Sequence, residues 1–89
     1  MGLLGQAFIK QGLVREAIET FERALAGEVP EAYAKELGYL LGQALESVGE
    51  RQRAIDEYSK VTQLDYGYKD ARQRLQVLRK QLEQGDQPG

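Results

Sequence analysis

Sliding the chain along itself by 37 places lays Leu3-Leu4-Gly5-Gln6-Ala7 on Leu40-Leu41-Gly42-Gln43-Ala44, identical at all five positions. The same offset pairs Gly12 with Gly49, Ala17 with Ala54 and Ile18 with Ile55. Conservative pairs follow, among them Phe8 with Leu45, Phe21 with Tyr58 and Arg23 with Lys60. Eight identities between residues 3 and 24 exceed the one or two that ordinary composition gives, roughly, by chance. A chain duplicated at such a period folds as a stack of like units, because one unit alone cannot bury its apolar face.

The period of the apolar residues says what each unit is. Leu37, Leu41, Ala44, Leu45 and Val48 recur at three- and four-residue steps, the spacing of one helical face. Gly49 then stands where a chain leaves a helix in a left-handed conformation. Ala54, Ile55, Tyr58 and Val61 line the next helix, as Ala17, Ile18, Phe21, Ala24 and Leu25 do in the first copy. Each copy therefore reads as two helices joined by a tight turn, at Gly12 and at Gly49. Gly5 and Gly42 fall mid-helix, where glycine costs about 1 kcal/mol against alanine, so a close approach of the partner helix is expected there. Ala26-Gly27-Glu28-Val29-Pro30 and Asp65-Tyr66-Gly67 are breaks. Beyond the second, Ala71, Leu75, Leu78 and Leu82 make the narrow stripe of a fifth helix, polar on its other faces.

The expected organisation is a single all-α domain over residues 1–84. Repeat one covers about 1–27, repeat two about 31–66 and a closing helix about 68–84, with a flexible tail at 85–89. At 89 residues a chain buries only about 60–65% of its extended surface, so one domain is the ceiling. No apolar run reaches the span of a membrane helix, and membrane insertion is not expected.

Composition removes most chemistry. There is no histidine to serve as general base or metal ligand and no cysteine for a disulfide or thiolate site. The hydroxyls of Thr20, Ser47, Ser59 and Thr62 thus have no activating partner. Glu16, Glu19 and Glu22 form an acidic stripe on an open helix face, with no pocket to shift a pKa. Neither catalysis, nor a metal site, nor a cofactor is expected. Net charge is −2. The basic residues Lys69, Arg72, Arg74, Arg79 and Lys80 of the last helix are not interleaved with stacking aromatics, so no nucleic-acid partner is expected.

Together these residues resemble the tetratricopeptide repeat (TPR) family. Leu4, Gly5, Phe8, Ala17, Phe21 and Ala24 fit its pattern in order, as do Leu41, Gly42, Leu45, Ala54, Tyr58 and Val61, with Gly12 and Gly49 at the turns. The family's usual period is 34; an offset of 37 implies three inserted residues around Glu28 to Ala34, lengthening the start of the helix after Pro30. The opening residues of the first helix are also missing, as expected of a fragment of a longer repeat protein or of a trimmed first helix.

The resemblance implies a right-handed stack of two helical hairpins plus a closing fifth helix, acting as a non-catalytic interaction module. Its concave groove would be lined by the first helix of each pair. Helical spacing places Gln6, Ile9 and Lys10 there from one copy, and Tyr39, Gln43, Glu46 and Ser47 from the next, with Tyr39 as aromatic anchor. An extended or helical peptide, or a protein segment, is the expected partner. The Lys/Asn/Arg clamp with which some relatives grip a C-terminal carboxylate is not expected, since Gly2, Gln6, Leu40 and Asp70 stand at the matching places and only Arg74 has the right character. The alternative reading is homo-oligomerisation through the uncapped first helix, by Leu3, Leu4 and Phe8.

Overall fold

The computed structural model describes the backbone of residues 3–85 and the side chains of residues 12–84. The described residues form four helices and no strand: α1 (Leu3–Ala26), α2 (Glu31–Ser47), α3 (Arg51–Leu64) and α4 (Ala71–Gly85). Each packs chiefly against its neighbours in sequence, α1 on α2, α2 on α3 and α3 on α4. The core runs through the middle of the stack. Leu41, Leu45, Ala54, Ile55, Tyr58, Val61, Ala71, Leu75 and Leu78 are all buried, and Tyr58, Ala54, Ala71 and Leu78 are fully so.

Four helices stand where five were expected. Repeat two is a hairpin, but repeat one is not: α1 runs unbroken through Gly12 for 24 residues. The two glycines differ in backbone conformation. At Gly49 the backbone turns left-handed (φ +82°), and the amides of Gly49 and Glu50 donate to the carbonyls of Glu46 and Leu45 at 3.1 and 2.9 Å. That turn folds α2 back onto α3, and the packing it gains holds it closed. At Gly12 no left-handed backbone occurs, although both glycines have open space where a side chain would stand. There the helix continues instead, at the roughly 1 kcal/mol that an interior glycine costs.

The breaks at Gly27 and Asp65 fall where the sequence puts them, with α1 ending at Ala26 and α3 at Leu64. Helix α2 spans 17 residues against 14 for α3, and its extra turn begins directly after Pro30. Helix α4 starts three residues later than expected, at Ala71 rather than Tyr68. Asp65 Oδ1 accepts from the Gly67 amide at 3.2 Å, the Tyr68 amide donates to the Asp65 carbonyl at 3.1 Å, and Lys69 is left-handed (φ 44°). A non-glycine residue in that region cannot belong to a right-handed helix. Of the expected tail, Gly85 ends α4 and residues 86–89 lie outside the described residues.

Gly42 makes the close approach expected of it: a Cβ there would meet the Tyr58 ring at 2.8–3.0 Å, and one on Gly38 would meet Val61 Cγ2 at 2.8 Å. Gly5, its counterpart in repeat one, lies outside the described side chains.

Candidate functional site

Helices α2 and α4 flank α3 on the same side, and polar side chains tie them together. Tyr58, fully buried on α3, donates its hydroxyl to Glu46 Oε1 at 3.0 Å. Arg74 on α4 reaches back to both Glu46 oxygens, from Nη1, at 3.3 and 3.2 Å. Its Nε donates to Asp70 Oδ2 at 3.2 Å, one helical turn earlier. Asp70 in turn accepts a short hydrogen bond from the Tyr39 hydroxyl. A continuous chain Tyr58–Glu46–Arg74–Asp70–Tyr39 thus crosses from α3 to α2 to α4 and back.

Aromatic packing underlies it. The Tyr39 ring meets those of Tyr58 and Tyr68 edge-on, at 5.8 and 5.9 Å between centroids. The Lys69 ammonium sits 5.0 Å from the Tyr39 centroid and 5.4 Å from that of Tyr68, within cation–π range. Lys35 adds an ion pair to Asp65 at 3.1 Å. The electrostatics follow the geometry. The hydrogen bond from Tyr39 holds the Asp70 carboxyl below its ordinary range, Arg74 helping. The same bond, with burial, raises the Tyr39 phenol, and burial followed by the bond to Glu46 raises that of Tyr58.

Gln43, Glu46 and Ser47 of α2 come together with Arg74 around an open hollow of about 290 Å³. Three of the expected groove residues are therefore brought together. The fourth on α2 is not available as an anchor: Tyr39 is only 7% exposed, its ring built into the core and its hydroxyl engaged by Asp70. Gln6, Ile9 and Lys10, and likewise Leu3, Leu4 and Phe8, lie outside the described side chains. Arg74 and Asp70 lie only four positions apart, but their links to Glu46 and Tyr39 join residues 28 and 31 positions apart, beyond what a local pattern shows. A larger trough of about 840 Å³ runs between α3 and α4 on the other side, floored by Ile55 and Leu82 and rimmed by Asp56, Glu83, Arg79 and Lys80.

The duplication, the glycine-on-aromatic contact and the stacked hairpin point to one repeat class. Family models described as tetratricopeptide repeat match residues 1–33 and residues 37–68. The chain belongs to the tetratricopeptide repeat family. It carries two such repeats, and TPR repeats generally mediate protein–protein interaction, typically without catalysis. No curated protein and no solved structure matches this TPR chain significantly. Among its described residues no helix is long and apolar enough to cross a membrane.

Proposed function

We propose that this TPR chain is a non-catalytic module that binds a peptide or protein segment across the α2–α4 face, at Gln43, Ser47 and Arg74. The observation that carries the reading is the hollow that Gln43, Glu46, Ser47 and Arg74 line together, with Glu46 and Arg74 held in place by the hydrogen-bond chain. Among the residues that line the hollow, the Arg74 charge is matched by that of Glu46, so the hollow is polar and neutral on balance. It suits amide and hydroxyl groups of an extended segment better than a strongly charged ligand. Tyr39, engaged by Asp70 at the far end of the hydrogen-bond chain, does not contact the segment.

The test is selection of binding peptides by display on the immobilised chain, followed by titration of variants. Gln43→Ala and Ser47→Ala each weaken the selected peptide about five- to tenfold, the worth of one polar contact, while helicity is unchanged. Normal binding by both variants removes the site assignment. Tyr39→Ala is a poor probe, since it also excavates the core.

A second reading, self-association through the N-terminal end, has an observation of its own. Along α1 the side chain of Leu13 is 60% exposed, Phe21 is only partly buried, and Ala24 is exposed.

A further inference from the structure

The two repeats carry the same residues in differing surroundings. In repeat two, Ala54, Tyr58 and Val61 are 0%, 0% and 1% exposed, because α2 lies over them through Gly42 and Gly38. Their counterparts at the 37-residue offset are Ala17, Phe21 and Ala24. Ala17 and Phe21 are only partly buried and Ala24 is exposed. Ile18 and Ile55, matched at the same offset, are both buried, at 5% and 7%. What repeat one lacks is thus one helix on one face.

The segment that belongs there by sequence is Leu3-Leu4-Gly5-Gln6-Ala7, identical to the Leu40-Leu41-Gly42-Gln43-Ala44 that covers Tyr58. In its own chain it cannot reach. Helix α1 is continuous, so Gly5 and Phe21 stand about 24 Å apart along its axis.

Resting on the self-association reading, we infer that residues 3–11 of one chain pack on the Ala17–Phe21–Ala24 face of a second copy. The second copy does the same in return, giving a two-fold, helix-exchanged dimer with Gly12 as the hinge. The occupant is fixed by identity: these five residues already make this contact once in the chain. Reciprocity closes the assembly, since each copy both gives and receives one helix. Gly12 can serve either form. It is helical in the exchanged chain, and in a folded-back monomer it would take the left-handed turn that Gly49 takes in repeat two.

Light scattering over a dilution series reports the mass, and an isotope-filtered NOE spectrum of mixed labelled and unlabelled chains reports who touches whom. The expected result is twice the chain mass, with contacts between the Gly5 α-protons and the Phe21 ring only across chains. Gly12→Ala favours the straight helix and disfavours the left-handed turn, so it tightens the dimer by about twentyfold over its two hinges. A monomer at every concentration sinks both self-association and exchange. A dimer whose Gly5–Phe21 contact lies within one chain, or one that Gly12→Ala weakens, keeps self-association and overturns the exchange.

Discussion

A methyl group on Gly42 has no room. It would lie 2.8–3.0 Å from three carbons of the Tyr58 ring, and that ring is fully buried and tethered by its hydroxyl to Glu46. Overpacking of this kind costs about 1–3 kcal/mol, while the better helix propensity of alanine returns about 1 kcal/mol. Gly42→Ala is therefore expected to lose about 1 kcal/mol net and to lower the melting midpoint by on the order of 5 °C, read by circular dichroism on heating. This contact was legible because the glycine and the aromatic recur at matched places in both copies. The position of Tyr39 was not. Periodicity along α2 says which residues share its faces, and gives no sight of the turn at Tyr68–Asp70 that comes over one of them. Asp70 and Tyr68 enclose the ring, so a residue read as the anchor of a groove is part of the core.

At the scale of elements, the breaks that rest on local chemistry were readable and those that rest on packing were not. Gly27, Pro30 and the Asp65 turn stop helices by their own backbone preferences. Gly12 and Gly49 are the same residue in matched positions, yet only Gly49 turns, because only there does a hairpin gain enough contact to hold the turn. Helix α4 is held to α2 by Tyr39, Glu46, Asp70 and Arg74, and this makes its docking sensitive to acid. The Asp70 carboxyl is held down in the folded chain, first by Tyr39 and then by Arg74. Its contribution is fully present above the unfolded carboxylate value of about 3.9 and is lost as pH falls through the lower folded value. Denaturant midpoints are expected to hold steady down to about pH 5 and to fall below about pH 4, and Asp70→Asn is expected to flatten that fall. A wild-type profile unchanged by Asp70→Asn would show that the bond does not secure α4. The raised phenols of Tyr39 and Tyr58 act at the other end: their share is present below about pH 10 and is lost as pH rises further.

Over the whole molecule, α4 finishes one side of the stack with a polar outer face, whereas the opposite side ends in the partly bare face of α1. Stability in such arrays is a sum of units and nearest-neighbour interfaces, so a missing interface at α1 is felt there first. If exchange supplies it, the melting midpoint rises with protein concentration, as it must when a partner subunit binds only the folded state. A midpoint independent of concentration would speak for a self-sufficient monomer. All-helical architecture and the two repeats could be read from the duplication, since both rest on patterns repeated within the chain. The union of repeat one into a single helix could not, because it turns on contacts that a pattern of residues does not contain.

The chain has five tyrosines and no tryptophan, so its ultraviolet emission comes from phenols alone. Two of them, Tyr39 and Tyr58, hand their protons toward the carboxylates of Asp70 and Glu46, an arrangement that drains an excited phenol of its light. The native protein's tyrosine emission is expected to be dim and to brighten when α4 comes away. Tyr39→Phe should shrink that brightening, which would make the molecule its own optical gauge of whether the α2–α4 junction is shut.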